Sequence, residues 1–363
     1  MDSRERTFLA LEHQVPDRIP VDFWASAGCR QSIKSELGLS FDAFLDVHDV
    51  DLRYIAGPRY VGPPMGSDDA DFSVDIWGVL RKLVTLEVRG HVEHYKEVVA
   101  PPLSDAATVE DVESYPHWPS ADLFDYGDIE SQCDRVREQG RVVVFMGDRL
   151  NRVAQLKPAM YIRGADCIML DMAASPGIAH AIFSRIRAFY LEYLERILRA
   201  ANGKIDIVLT GDDFGSQEGL LVSPAMWTDF LREGFADYVA LVQAHGAVAM
   251  HHTCGSVGAI IPAMMECGLD VLQSLQPEAR GMEPARLKAE HGERLAFHGG
   301  VSIQRTLPYG TPDDVRKEVQ HLAAVMGEGG GYVFCTAHNV QADTPTENVL
   351  ALMGSYHTCG AYA

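Results

Sequence analysis

Short apolar or β-branched runs recur at residues 19–24, 50–56, 141–147, 205–211, 247–251, 270–275, 295–299 and 331–335. Most intervals between them carry the three-to-four-residue apolar period of an amphipathic helix. The clearest is 176–201, where IAHAIFSRIRAFYLEYLERILRA places its apolar residues on one face. Residues 224–243 predict another, entered through Ser223 as N-cap and Pro224 at the first helical position, and Thr311-Pro312-Asp313-Asp314 opens a third in the same way. Apolar runs that alternate with helices predict parallel strands joined by right-handed crossovers. Eight such units predict an α/β fold of the (β/α)8 TIM barrel type, with residues 1–363 as a single domain.

The stretch 59–119 breaks this rhythm. It holds a Pro/Gly/Asp-rich turn (VGPPMGSDDADF), a hairpin pattern over 83–99 and the loop YPHWPS. We read it as an insertion after the second strand that caps the barrel mouth; the plainer alternative is a solvated excursion. Phe72, Trp77, Tyr95, Tyr115 and Trp118 give it apolar surface that favours packing over disorder.

Acidic residues outnumber basic ones by 51 to 31, and the formal charge of -20 argues against a nucleic-acid or anionic-membrane surface. No run approaches the roughly 18 to 20 apolar residues of a membrane helix, and the N-terminal MDSRERTFLALEHQVPDRIP lacks the apolar core of a signal peptide, so a cytoplasmic protein is expected. The seven cysteines are odd in number and scattered, which in a reducing compartment predicts free thiols or metal ligands, not a disulfide framework.

In an α/β barrel the reacting groups come from the carboxyl ends of the strands. Those ends hold Gly147-Asp148-Arg149, then GDDFGSQ at 211–217, His252-Thr253-Cys254-Gly255, Gln273 and Gln276, Gly299-Gly300 with Gln304, and finally Cys335, His338 and Asn339. If their strands are barrel neighbours, His252, Cys254 and Cys335 form a His/Cys/Cys set that suits Zn²⁺ and leaves a fourth position open. Zinc held by two thiolates and one imidazole carries no net charge, a mild Lewis acid better suited to holding a nucleophilic thiolate than to hydrolysis. The plainer readings are that a strand-end cysteine is a small buried hydrophobe and that Asp212 and Asp213 shape a turn or cap a helix. His251 should face away from His252, because side chains alternate along a strand.

Residues 211–224 (GDDFGSQEGLLVSP), HHTCGSVGAIIPAMMECGLDVLQSLQPEARGM, LKAEHGERLAFHGGVSIQRTLP and GYVFCTAHNVQADTPTENV resemble the uroporphyrinogen decarboxylase superfamily over about half of the chain. Similarity in VPDRIPVDFW and IWGV is weaker. The resemblance implies either a metal-free porphyrinogen decarboxylase or a zinc-dependent methyltransferase that works with a corrinoid protein. The decarboxylases carry an R-Q-A-G-R segment after the first strand, whereas the stretch from Trp24 to Arg30 here reads WASAGCR and lacks the paired arginines. His252, Cys254 and Cys335 match the zinc-holding positions of the coenzyme M methyltransferases, while GDDFGSQ looks more like the decarboxylase sequence and favours a less specialised member.

The resemblance therefore implies methyl transfer between a small methyl ether, amine or thiol and a corrinoid (cobalamin). A separate protein would carry the corrinoid, since the chain holds no Asp-x-His-x-x-Gly segment to bind it. Asp212, Asp213 and His338 are expected to orient the substrate or manage its proton, and Trp24, Gln217, Gln273 and Gln304 to contact it. The alternative is a metal-free decarboxylase of a porphyrinogen-like or smaller carboxylated substrate, with Asp212 or Asp213 stabilising a protonated ring.

Overall fold

The computed structural model describes residues 1–65, 71–88, 91–147 and 152–362. Its main sheet has seven parallel strands paired in chain order: β1 (Leu52–Ile55), β2 (Val142–Phe145), β3 (Ile207–Gly211), β4 (Val248–His252), β5 (Val271–Leu275), β6 (Ala296–Val301) and β7 (Tyr332–Thr336). Each falls on one of the apolar runs, because a strand covered on both faces needs apolar side chains on both.

The first run, 19–24, joins the two edges of this sheet. Val21 pairs in parallel with Phe334 of β7, and the Val21 carbonyl accepts from the Asp51 N–H at 2.9 Å, just ahead of β1. Pro20 has no N–H to donate, which keeps this segment from building a full ladder. A parallel sheet whose edges meet through one extended segment supports the (β/α)8 barrel. Inside it Leu52, Val144, Leu209, Met250, Val271, Ala296 and Val333 form one apolar cluster. The alternate residues, such as Val143, Val208, Leu272 and Phe297, pack outward in the larger core.

The long helix runs Pro176–Ala200 as expected, and Pro312–Gly327 starts in a capping box made by Thr311 and Asp314. The single helix expected over 224–243 is instead two, Pro224–Phe230 and Arg232–Ala244. At the junction the Gln155 side-chain amide donates to the Leu231 carbonyl at 3.0 Å, in space that Gly234 leaves open. A Cβ at Gly234 would sit 2.0 Å from Gln155 Oε1.

The hairpin expected over 83–99 is present as Leu80–Val88 and His91–Ala100, and Phe72–Val74 extends it to a three-stranded antiparallel sheet. The buried Trp77 packs edge-on against Trp118 and against Phe189 of the long helix, with ring centroids 6.4 and 5.2 Å apart. Among the described residues, no helix is long and apolar enough to cross a membrane.

Candidate metal centre

Two residues beyond the apolar layer, the period of two brings a second inward layer to the carboxyl end of the sheet. It comprises Tyr54, Met146, Gly211, His252, Gln273, His298 and Cys335. This layer is polar where the one below it is apolar.

His252 is buried and its ring stacks on Trp24, with centroids 6.1 Å apart. Gln273, its register partner on β5, takes the Nδ1–H on its side-chain oxygen, so the Nε2 lone pair faces the other way. There Nε2 meets Cys254 Sγ at 3.4 Å and Asp213 Oδ1 at 3.5 Å. The first separation is close to the roughly 3.6 Å spanned by one nitrogen and one sulfur on a tetrahedral zinc, given Zn–N of about 2.05 Å and Zn–S of about 2.3 Å. The donor pair therefore fits a zinc ion.

His338 completes this group. One ligand atom from each of His252, Cys254 and His338 lies within 4.8 Å of the others, and the two imidazole rings are 5.5 Å apart. Burial lowers His338 to about 4 and raises the Cys254 thiol to about 12, so in the absence of a cation both are neutral near pH 7.

The loops that carry these groups touch backbone to backbone. Gly255 has φ +83°, and a Cβ on it would lie 2.5 Å from the Gly215 carbonyl oxygen; a Cβ on Gly215 would lie 2.8 Å from the Ser256 nitrogen. This contact holds 211–217 against 252–256, and the Cys254 N–H donates to Asp213 Oδ1 at 3.2 Å. Gly255→Ala is expected to cost about 2 kcal/mol or more in urea unfolding, because it adds left-handed strain to a clash. A change within 0.5 kcal/mol would show that the loops are not held this way.

The two aspartates take different roles. Asp212 is buried, and its oxygens accept the backbone N–H groups of Gln155, Leu156 and Lys157 at 2.6, 2.6 and 2.7 Å. It caps the helix Leu156–Arg163, whose own N-cap side chain makes no such bond, and burial raises it to about 6. With both oxygens occupied, Asp212 belongs to the framework and not to the expected catalytic group. Burial would also raise Asp213, but its ion pair with Lys157 helps hold it well below the usual carboxylate range. Asp213 is the aspartate that faces the centre.

Cys335 sits elsewhere in the layer. Its thiol groups with Asp22 and His298, all three buried, and not with His252 and Cys254. The reason is its place around the barrel. β7 neighbours the Val21 segment on one side and β6 on the other, so its inward side chain meets Asp22 and His298. From β4 it is separated by β5 and β6, three strand spacings of about 4.8 Å each. Asp22 accepts from Tyr54 Oη at 2.5 Å and lies 2.9 Å from His298 Nε2, while the Trp24 indole N–H donates to Tyr54 Oη at 2.6 Å. Burial, reinforced by Asp22, keeps the Cys335 thiol well above its ordinary value.

A cavity of about 650 Å³ opens over His252 and His338, walled by Trp24, Tyr54, Trp77, Tyr161, Tyr190 and Arg152. Trp24 thus stands where a substrate contact was expected. Gln273 instead holds His252 from below, and Gln217 and Gln304 are exposed and outside the cavity wall. His251 faces outward between Phe214 and Phe235, hydrogen-bonded to Thr210 at 2.8 Å and lowered by burial to about 3, as alternation requires. Asp148 and Arg149 lie outside the described residues. Sequence reasoning passed over Asp22, although alternation puts it on the face of Trp24. Lys157 and Tyr161 sit on a helix in no strand-end pattern and left no such signal.

Comparison with known proteins relates the chain to a family. The chain is 30% identical over 150 residues to "Methylcobamide:CoM methyltransferase MtaA" of Methanosarcina barkeri, covering 41% of each. It is 23% identical over 185 residues to a uroporphyrinogen decarboxylase of Psychromonas ingrahamii, covering 50% of this chain and 49% of the other. The chain thus spans about four-tenths to one half of the length of these relatives. A solved methyltransferase from Methanosarcina mazei shares the fold over 99% of both chains, with a TM-score of 0.68 at 18% identity. Residues 132–359 match the uroporphyrinogen decarboxylase (URO-D) family model, and the chain belongs to that family.

Proposed function

We propose that this protein is a zinc-dependent methyltransferase that moves a methyl group between a small methyl ether, amine or thiol and a corrinoid carried by a separate protein. The observation that carries the reading is the His252–Cys254 pair, its Nε2 lone pair turned toward the thiol in the wall of an aromatic cavity. The similarity to a methylcobamide-dependent methyltransferase supports the corrinoid as the other methyl carrier.

His252 and Cys254 would hold the metal, with a third ligand from the carboxyl end of β7, where Cys335 stands in the strand and His338 just beyond it. Bound there, zinc supplies Lewis acidity to the heteroatom that bears or receives the methyl group. Trp24, Tyr54 and Tyr190 would give the substrate apolar faces, and Trp77 is the residue through which the inserted segment would cap the cavity. Asp213, paired with Lys157, would orient the substrate beside Nε2 of His252.

The test supplies free cob(I)alamin with a panel of aryl methyl ethers, methylamines and methyl thioethers, and follows methylcobalamin by absorbance. Turnover with one class, lost on chelation and restored by zinc, is the expected result. Metal-independent loss of CO2 from a carboxylated substrate would sink the proposal in favour of a decarboxylase. Gln273→Leu is expected to weaken zinc binding about 10- to 100-fold, because it frees the His252 tautomer and ring orientation. Zinc affinity unchanged in competition with a chromophoric chelator would remove Gln273 from the positioning role.

A further inference from the structure

We propose that the third protein ligand of the zinc is His338 and not Cys335. The inference rests on the zinc reading above and deepens it. Among the described residues, metal-ligating side chains converge in two groups. One is His252, Cys254 and His338, two of whose members line the cavity; the other is Asp22, His298 and Cys335, all buried, of which only Asp22 reaches the cavity wall.

The first group satisfies what a reactive metal needs. Its donors are a nitrogen, a sulfur and a nitrogen, Cys254 and His338 are half-buried, and His252 and His338 both stand in the cavity wall. His338 lies beyond the end of β7, so it is free of the strand geometry that points Cys335 at Asp22 and His298. The second group already has internal partners. The Asp22 carboxylate is engaged by Tyr54, His298 and the Phe23 N–H, the last at 2.8 Å, and the Cys335 thiol lies 3.9 Å from the Thr336 hydroxyl.

The exchange of ligand changes the charge. A divalent ion with one thiolate and two imidazoles keeps one positive unit, where two thiolates would leave none. That shifts the centre toward polarising a neutral heteroatom, an ether oxygen or an amine nitrogen, and away from binding a thiol acceptor as thiolate. The substrate class that follows is a neutral methyl donor, most simply a methyl ether on an aromatic ring that the cavity's indole and phenol faces would hold.

The test replaces zinc with Co²⁺ in the full-length protein and reads thiolate-to-cobalt charge-transfer absorption together with metal content. The wild type is expected to show the intensity of one thiolate. Cys335→Ser should leave both the intensity and a stoichiometric metal unchanged, and His338→Ala should lower metal affinity about tenfold or more. His338→Cys should retain the metal and double the charge-transfer intensity, a gain that a folding defect does not produce. Two-thiolate intensity in the wild type, or metal lost from Cys335→Ser while His338→Ala keeps it, would overturn the inference and leave the zinc reading standing. A wild-type protein that takes up neither Zn²⁺ nor Co²⁺ would sink the zinc reading itself, and this inference with it.

Discussion

Replacing His252 with alanine is expected to leave the purified protein without zinc and to lower methyl transfer by about 1000-fold or more. Loss of the metal's Lewis acidity removes several kcal/mol of transition-state stabilisation, and each 1.36 kcal/mol is a factor of ten in rate. The effect concentrates on this residue because three arrangements meet at its ring. Gln273 fixes which nitrogen carries the proton, Trp24 stacks on one face, and Cys254 and Asp213 lie within 3.5 Å of Nε2. His251→Ala is the informative companion. It removes a neighbouring imidazole that faces Phe214 and Phe235 on the other side of the strand, so it should cost stability and leave zinc content alone. Elemental analysis and corrinoid methylation on both variants separate the outcomes. A His252→Ala protein that keeps one zinc per chain and near-parental turnover would end the metal assignment.

The second large effect is expected at Asp51, which does no chemistry. Its carboxylate is fully enclosed and accepts from Arg6 at 2.7 Å, from Arg18 at 2.6 and 3.0 Å, and from the Val21 N–H at 2.8 Å, while its own N–H donates to the Val21 carbonyl. This one residue ties the Pro20-interrupted segment to the edge of the sheet and so holds Asp22 and Trp24 in the upper layer. Asp51→Ala strips two guanidinium groups of a buried partner and leaves a backbone donor unsatisfied. The expected cost is about 3 to 5 kcal/mol in urea unfolding. Trp24 should also lose its fixed position against His252, and near-ultraviolet circular dichroism would register the change. A loss under about 1 kcal/mol would show that the sheet edges are held together by something other than this network.

The local half of the site was legible before any fold was known. His252 and Cys254 are two residues apart at the end of one apolar run, so their proximity follows from the chain itself, and alternation correctly turned His251 away. The expectations that did not carry through concern partners distant in sequence. Asp212 looked like a catalytic carboxylate, yet it caps a helix that begins some 56 residues earlier, a role visible only once that helix end is in place. Gln217 and Gln304 were placed at the mouth by counting residues after strands, and each falls in an exposed turn.

The sequence alone determined the class of fold, the order of its strands and the rim on which the candidate site sits. Enclosed parallel strands read as unbroken apolar runs, and the helices between them carry their own period. Which side chains meet across the barrel was left to the tertiary structure. That depends on how many strands separate two positions around a closed sheet, and a single run of residues carries no record of that angle. Cys335 and His338 differ by three positions in the chain, yet one is held by its strand against Asp22 and His298 and the other reaches His252 and Cys254.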